Sequence, residues 1–444
     1  MTDKQLSSRR RYLKLAGSAS IVSLAGCMGN NASNSGGQQT TTTDTSSNNQ
    51  SNNSSGQAIS MGSIIPITGS LSAYGSGMQK AVNLAAKNIN DAGGPLGRNI
   101  NVVNKDSQTQ PSKAIQKYSS LVNENNIVGF VGAASSGVSV PIAQRVAKDK
   151  VMQVSHASTT PALAEIGFGQ DGKKPKYFGR TSPNDAQQGI VMGRILSEKK
   201  YIGADKAAFL YVDNPYGEGL AQKAKKAFKG QTTNMVAYSK KATDYSSTLD
   251  KLFQGNPDGV GFVGYPGNGK TILKQWAEGG YGGNWVLSEG LNSKKFLTNN
   301  RNITANMYLA SPSPESTKGA KEFEKMMGEK NTLFAPHAYD ALFLQALAIQ
   351  KAGEASGTAI AKNIRDVSRP NSDADVTVSV GQFKKAKQAL KNGKSINYAG
   401  ASSPVNLNKA LEPINRFAIM QVPEQGKATK TLEEIPRSYF KGKL

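Results

Sequence analysis

Short apolar runs alternate with amphipathic stretches from Met61 onward, and most of the apolar runs end in a loop of Gly, Ser, Thr, Asn or Pro. Short apolar runs bounded by such residues are typical of buried strands, whereas apolar residues three and four positions apart predict helices. Their alternation over about 250 residues predicts a doubly wound α/β fold built on parallel sheets.

The individual elements follow from the same pattern. The predicted strands are Ser63–Ile67, Ile100–Val103, Ile127–Val131, Val151–Val154, Tyr177–Arg180, Ala207–Val212, Met235–Tyr238, Val260–Val263, Trp285–Leu287, Met307–Ala310 and Phe417–Val422. The predicted helices are Met78–Ile89, Ala114–Val122, Ile190–Leu196, Tyr245–Phe253, Lys270–Ala277, Ala320–Met327, Ala335–Lys351 and Ala359–Val367.

Two strand–loop–helix units follow each other in the centre of this pattern. Ile127–Val131 leads into the polar loop 132–136, and Val151–Val154 leads into the polar loop 155–160. A helical pattern from Val138 separates them, and a crossover of about ten residues favours two neighbouring parallel strands. Both loops should therefore open at the same carboxyl edge of one sheet, where open α/β folds bind ligands.

The chemistry of these two loops suits an anion. Ser, Thr and Ala dominate both loops, and Thr160 followed by Pro161 has the pattern of an N-cap and a first helical position. Hydroxyls and free amides at two helix starts can bind an anionic group, most simply a carboxylate. Helix capping alone would also account for Ser and Thr in either loop. The prediction of an anion site therefore rests on two such loops at the same edge of the sheet.

Composition narrows the function classes. The chain has 444 residues, enough for two or three domains, with 37% hydrophobic residues and a net charge of +23. The lysines are spread over many predicted helices and aromatic residues do not interleave with them. We therefore predict a solvated basic surface and no nucleic-acid partner.

The N-terminus has the features of an export signal. Residues 8–14, Ser-Arg-Arg-Arg-Tyr-Leu-Lys, resemble the twin-arginine motif, and a short apolar run to Leu24 follows. Leu24-Ala25-Gly26-Cys27 matches a lipoprotein cleavage box, so residues 1–27 are predicted to be a signal and Cys27 the lipidated residue of an outer-face, membrane-anchored protein. The Asn-, Ser- and Thr-rich residues 28–58 are predicted to be a disordered tether.

Five short motifs in the body carry a family resemblance. They are Ile65-Pro66-Ile67-Thr68-Gly69, Ile89-Asn90 with Gly93-Gly94, Ser155 through Pro161, Tyr216-Gly217-Glu218-Gly219 and Ser288-Glu289-Gly290. In this order they resemble the extracytoplasmic substrate-binding proteins of branched-chain amino acid ABC transporters, which have the type I periplasmic-binding fold. The resemblance implies two doubly wound parallel-sheet lobes, residues 59–181 plus 312–396 and residues 182–311 plus 397–444, joined by three hinge crossings.

The resemblance also implies a ligand site between the lobes. Carried over by position, the carboxylate end falls on Ser136, Ala157, Ser158 and Thr159, and the ammonium end on Glu289. The resemblance also implies that Tyr216 and Tyr265 border the ligand from the opposing lobe and that Tyr74 borders it from the first loop. Many relatives have tryptophan at the position of Tyr74. The implied function is capture of an amino acid, most simply an aliphatic one, and delivery to an ABC permease, without covalent chemistry.

Other functions remain open at this point. The same clamp could bind urea, a short amide or another small carboxylate, or it could report to a membrane receptor as a ligand sensor. Residues 264–271 also fit the phosphate-loop pattern G-x-x-x-x-G-K-[ST], and Asp213 follows a strand as a magnesium ligand would. The export signal disfavours a nucleotide-binding enzyme. His156 and His337 have no cysteine partners, so neither a metal nor a cofactor is predicted.

Overall fold

The computed structural model describes residues 56–444, except residues 170, 171, 173, 314, 316, 329–331 and 371. The predicted signal, Cys27 and all but the last three residues of the predicted tether lie outside the described residues. The described residues form a predominantly α/β body, as the alternating pattern predicts.

The first sheet is built from the N-terminal part of the body. Its strands are β1 (Ile59–Ile65), β2 (Ile100–Asp106), β3 (Gly129–Gly132), β4 (Met152–Ser155) and β5 (Phe178–Arg180). They are parallel and lie in the order β2-β1-β3-β4-β5 within the described residues. Helices α1 (Ser72–Asp91), α2 (Pro111–Asn123) and α3 (Ser136–Asp149) connect β1 to β4 in turn.

The second sheet begins after α4 (Asp185–Ser197). It takes its parallel strands from β6 (Lys206–Val212), β7 (Gln231–Tyr238), β8 (Gly259–Val263), β9 (Asn284–Leu287) and β10 (Tyr308–Pro312). The helices between these strands are α5 (Pro215–Ala227), α6 (Ser246–Phe253), α7 (Pro266–Glu278), α8 (Lys294–Asn299) and α9 (Arg301–Thr304). The C-terminal strands β13 (Phe417–Gln421) and β14 (Lys430–Ile435) extend it antiparallel, giving the order β14-β13-β10-β9-β8-β6-β7 in the described chain.

A C-terminal helical group covers the first sheet. It contains α10 (Lys318–Met327), α11 (Ala335–Ala352), α12 (Gly357–Ser368), α13 (Phe383–Lys391) and the small parallel pair β11 (Val376–Ser379) and β12 (Ile396–Ala399). Helix α11 contacts α1, α12, β3 and β4, and nearly all of its side chains are buried. A helix that is apolar on all sides is expected in such an enclosed position.

The chain therefore passes between the two sheets three times: after β5, after β10 and after β12. This matches the three predicted crossings and the type I periplasmic-binding architecture. A buried ion pair joins the first passage to the third, because Arg180 Nε donates to Glu412 Oε2 at 2.9 Å. The bounds of the two predicted lobes stay a prediction.

The structure departs from the sequence prediction in several places. The helix expected from Pro161 is only a 3₁₀ turn, Pro161–Glu165, and Thr160 makes no capping hydrogen bond there. Only Leu163 in that turn is buried, and Gly167 follows at a φ of 86°, so no apolar face exists to extend it. Helix α5 was not predicted, and β1 lies earlier than expected because Pro66 directly follows its end.

Candidate ligand-binding site

The loops after β3 and β4 meet at the carboxyl edge of the first sheet, as predicted. Ser136, at the first position of α3, accepts hydrogen bonds at its hydroxyl from the backbone N–H groups of Thr159 and Thr160, both at 3.2 Å. The Ser155 hydroxyl accepts another from the Ser158 N–H at 2.9 Å. Each loop therefore fixes the backbone of the other, which builds a rigid wall of amides and hydroxyls.

Two of the predicted carboxylate ligands lie deeper in this wall. The Ser158 hydroxyl lies 3.1 Å from the carbonyl oxygens of Ala133 and Ala134 and 2.7 Å from the hydroxyl of Ser139. The Thr159 hydroxyl is fully buried and has no hydrogen-bond partner in the described part of the chain. Ser158 is thus committed to holding the loops together, whereas Thr159 keeps an unused donor and acceptor.

Arg180 supports the second loop from behind. Its Nη1 donates to the carbonyl oxygens of Ser158 at 3.1 Å and Thr160 at 2.9 Å, and its guanidinium also pairs with Glu412. Burial works to raise the pKa of Glu412, but the charge and hydrogen bond of Arg180, together with Asn184 and Lys176, lower it. The buried pair thereby orients the loop carbonyls away from the cavity. The sequence analysis missed this role, since one arginine at a strand end has no periodic signal.

The second sheet contributes two tyrosines and a carboxylate. The Tyr216 hydroxyl lies 2.8 Å from Ser288 Oγ and 2.9 Å from Glu289 Oε2. The rings of Tyr216 and Tyr265 stack with their centroids 5.5 Å apart and their planes at 10°. Tyr216 thus holds the Glu289 carboxylate just after β9, and Tyr265 reaches across to the two polar loops 132–136 and 155–160, here called the serine-rich loops.

Glu289 is buried but well supplied with donors. Gln188 Nε2, on α4, donates to Glu289 Oε2 at 2.6 Å and also to the carbonyl of Ala310 at 2.9 Å. Burial raises the pKa of Glu289 to about 7, while hydrogen bonds from Gln188 and Tyr216 act in the opposite direction. The charged form is therefore costly in the free protein and would be stabilised by a cation placed beside it.

Side chains also connect the two sheets directly across the cleft. The Tyr74 hydroxyl, from α1, donates to the carbonyl of Gly290 at 2.9 Å. The hydroxyls of Ser135 and Tyr265 lie 3.0 Å apart. These contacts place both sides of the predicted site within one closed arrangement.

A small cavity lies between these groups. Six of the eight predicted ligand residues line it: Tyr74, Ser136, Ala157, Tyr216, Tyr265 and Glu289. Ser158 and Thr159 do not, although both belong to the loop that carries Ala157.

The rest of the cavity wall is largely apolar. Leu71 and Met78 come from the start of the body, and Leu333 and Phe334 from the residues before α11. Phe334 has a left-handed φ of 63°, a conformation that is rare for a bulky side chain and is often found at binding sites. The prediction missed these residues because they are remote in sequence from the polar loops.

The phosphate-loop pattern does not form a phosphate-binding loop. Helix α7 begins at Pro266, so only Gly264 and Tyr265 separate it from β8. The N–H of Gly269 donates to the Tyr265 carbonyl at 2.9 Å, and the exposed Lys270 lies within the helix. The backbone amides that would surround a phosphate are instead used for helix formation.

The two histidines are buried and neutral. His156 Nε2 lies 3.2 Å from Met78 Sδ, and His337 Nε2 lies 3.4 Å from Asn415 Nδ2. Burial lowers the pKa of each to about 3. Among the described residues, no cluster of His, Cys, Asp or Glu has the composition of a metal site, and no helix combines the length and apolar character of a membrane span.

Comparisons with known proteins agree with this architecture. The family model for periplasmic binding proteins matches residues 58–395. The chemotactic signal transduction system substrate-binding protein BasB of Halobacterium salinarum is 31% identical over 390 residues, which cover 87% of this chain and 92% of BasB. Leu/Ile/Val-binding protein homolog 1 of Brucella abortus is 27% identical over 305 residues, which cover 68% of this chain and 79% of that protein.

A solved structure shares the fold. The branched-chain amino acid transporter substrate binding protein LivJ of Streptococcus pneumoniae, solved in complex with isoleucine, superposes with a TM-score of 0.68 at 23% identity. The match covers 85% of this chain and 99% of LivJ.

Proposed function

The chain belongs to the periplasmic binding protein family, and from this premise we propose that it binds an aliphatic amino acid between its two sheets and delivers it to an ABC permease. The observation that carries the proposal is one cavity with opposite chemistry at its two ends. Glu289 lies at one end, and the hydroxyl of Ser136 and the start of α3 lie at the other.

This polarity matches an α-amino acid. The ammonium group requires a buried acceptor, and Glu289 offers a carboxylate already aligned by Gln188 and Tyr216. The carboxylate requires donors, and the first turn of α3 leaves N–H groups without intrahelical partners. Between the ends, the apolar side chains described above suit an aliphatic side chain. One relative of this chain is named as a Leu/Ile/Val-binding protein homologue.

Family membership implies an extracytoplasmic location. We propose in addition that Cys27 carries a lipid anchor and that the twin-arginine segment directs export. Intact mass spectrometry of the exported protein tests this directly. A diacylglycerol adduct on an N-terminal Cys27, lost in Cys27→Ala with release of the protein from membranes, is the expected result.

A sensor function is the second candidate. It is favoured by the similarity to BasB, whose name describes a substrate-binding protein of chemotactic signal transduction. The clamp would be the same, and its closed form would be recognised by a membrane receptor instead of a permease. Deletion of the chain separates the two: loss of radiolabelled leucine uptake supports the importer, and loss of taxis toward leucine with unchanged uptake supports the sensor.

Isothermal titration calorimetry tests the binding step itself. We expect leucine, isoleucine or valine to bind with one site per chain, and lysine and glutamate to bind far more weakly, because a second charge would enter an apolar wall. Binding of urea or a short amide with no amino-acid binding would keep the clamp and replace the ligand. Binding of Mg-ATP that is lost in Lys270→Ala would support the nucleotide alternative.

A further inference from the structure

A second carboxylate lies behind the ammonium end of the cavity. Asp185, in the first turn of α4, is fully buried, and neither of its carboxylate oxygens has a hydrogen-bond partner among the described residues. Its backbone N–H donates to the carbonyl of Thr159 at 2.9 Å, so the side chain starts beside the second serine-rich loop. A buried carboxylate without donors is rare and costly, which makes this position unusual.

The fold directs Asp185 toward Glu289. Gln188 lies three residues later on the same helix face, and its Nε2 donates to Glu289 Oε2 at 2.6 Å. Asp185 and Glu289 interact electrostatically with each other, and both also influence Tyr216 and Tyr265. Two buried acidic side chains from different elements are therefore close enough for the charge of one to affect the other.

Other acceptors in the same region also lack donors. The Thr159 hydroxyl and the Gln188 Oε1 are fully buried and without a partner in the part of the chain described. The Thr159 hydroxyl is near enough to act on the Asp185 carboxylate, although no hydrogen bond between them meets ordinary geometry. The region thus holds two carboxylates and an amide oxygen with few donors facing them, and a proton or a cationic donor placed there would be stabilised.

The surrounding charges do not neutralise this pair. The other titratable side chains found to face it in the described structure are Tyr74 from α1, Tyr216 from α5, Tyr265 after β8 and Arg180 at the end of β5. Burial raises the pKa of each tyrosine, so they are neutral near neutral pH. Arg180 acts in the opposite direction and favours the ionised form of Asp185, but its guanidinium is already paired with Glu412.

Two adjacent buried carboxylates cannot both ionise at low cost. Burial first, and the neighbouring charge of Glu289 second, raise the pKa of Asp185. Burial also raises the pKa of Glu289 to about 7. Such pairs titrate as a unit, and one of the two protons is retained well above the pH at which a lone carboxyl loses it.

We propose that Asp185 and Glu289 form a carboxyl pair that holds one proton in the ligand-free protein and releases it to solvent when a protonated amine binds. This inference rests on the proposed function and refines it, because it specifies the ligand class as an ammonium compound. An ammonium ion replaces the proton as the counter-charge and permits both carboxyls to ionise. A neutral amide or urea cannot do so, and an acid without an amine adds a further negative charge.

Proton release on binding is the direct test, with L-leucine as the probe and the full exported chain as the protein. Calorimetric titrations at about pH 6.5, in buffers of different ionisation enthalpy, give the number of protons released per leucine bound. We expect a release approaching one proton, which decreases toward zero by about pH 8.5 as the free pair loses its proton. Leucine affinity should rise with pH in the same range, with tenfold per pH unit as the limit for one proton.

Variants identify the residues. Asp185→Asn should remove most of the proton release, whereas Asp205→Asn, at an exposed acidic position before β6, should leave it unchanged. The proposal would be overturned if the wild type binds leucine with the same observed heat in all buffers at every pH from about 5.5 to 8.5.

A measurement without ligand separates failure of this inference from failure of the proposed function. In protein labelled with ¹³C at Asp and Glu side-chain carboxyls, we expect the wild type to show one carboxyl pair titrating in two steps, the second near neutral pH. In Asp185→Asn, the two coupled steps should be replaced by a single Glu289 step, because the neighbouring acidic group is removed. Independent titration of Glu289, unchanged by Asp185→Asn, would overturn the pair even if leucine binds. If the variant does not fold, the wild-type titration alone decides, because a single-step Glu289 curve would contradict coupling.

Discussion

Replacing Glu289 with glutamine removes the proposed counter-charge of the ligand while keeping the shape of the side chain. In the wild type, Glu289 Oε2 accepts hydrogen bonds from Gln188 at 2.6 Å and Tyr216 at 2.9 Å. A glutamine oxygen can still accept both, so the wall of the cavity should persist. The ligand ammonium, however, would lose the carboxylate that lines the cavity, and only Asp185, which does not line it, would remain as an acidic group nearby.

The expected loss in binding is large. Removing one partner of a buried, hydrogen-bonded charge pair costs about 2–5 kcal/mol, which corresponds to a leucine affinity lower by a factor of about 30 to 4,000. The loss of binding free energy should fall below the upper end of this range, because Glu289→Gln also removes the cost of a buried carboxylate from the free protein.

The stability of the free protein should change in the opposite direction. The folded pKa of Glu289, about 7, is higher than that of an unfolded glutamate, so ionised Glu289 destabilises the fold. This destabilisation is absent below the unfolded pKa of about 4.3, grows as the pH rises and is complete above the folded pKa. Glu289→Gln should therefore raise the melting temperature at about pH 8 and change it little at about pH 4.

Calorimetry with leucine, together with thermal unfolding at the two pH values, measures both effects. Glu278→Gln is a matched control, since Glu278 is an exposed residue near the end of α7. Leucine affinity equal to that of the wild type would remove Glu289 from the site and refute the reasoning. A melting temperature that falls equally at both pH values would show a structural defect instead of a lost counter-charge.

Three further substitutions separate the ligand wall from its support. Ser136→Ala should lower the free energy of unfolding in urea by about 1–3 kcal/mol, because two buried N–H groups lose their acceptor. It should also weaken leucine binding. A loss of stability no larger than that of Ser112→Ala, on the exposed face of α2, would contradict this. Arg180→Met should lower the free energy of unfolding by about 3–5 kcal/mol, since it leaves Glu412 buried and unpaired, and an unchanged urea midpoint would refute the support role. Lys270→Ala should leave leucine affinity and stability within about 0.5 kcal/mol of the wild type, and loss of binding would return attention to the phosphate-loop pattern.

Much of the frame could be predicted because buried strands carry a strong signal. Strands β3, β4 and β8 are fully buried and appear in the sequence as apolar runs followed by small polar loops. The short crossover between β3 and β4 fixed their parallel pairing, and with it the meeting of the two serine-rich loops. Edge strand β14 gave no such signal, since its sequence, KTLEEI, is mostly exposed and charged.

The polar residues behind the site could not be predicted in the same way. Arg180, Asp185 and Gln188 lie in one short stretch, and their roles depend on distant partners such as Glu289 and Glu412. No periodic sequence pattern predicts a buried charged residue, because only tertiary contacts stabilise it in that position. The resemblance to a family supplied the residues predicted to bind the ligand, six of which line the cavity, but the supporting groups became visible only in three dimensions.

Thermal unfolding in the presence of candidate ligands tests the central claim most directly. The protein would be scanned against the twenty amino acids, urea, simple amides and Mg-ATP. A ligand at about 100 times its dissociation constant adds roughly 2.7 kcal/mol to the free energy of unfolding, which gives a clear rise in melting temperature. We expect this rise with leucine, isoleucine or valine, and a much smaller rise in Glu289→Gln at the same ligand concentration. A rise with urea, amides or Mg-ATP and none with any amino acid would contradict it.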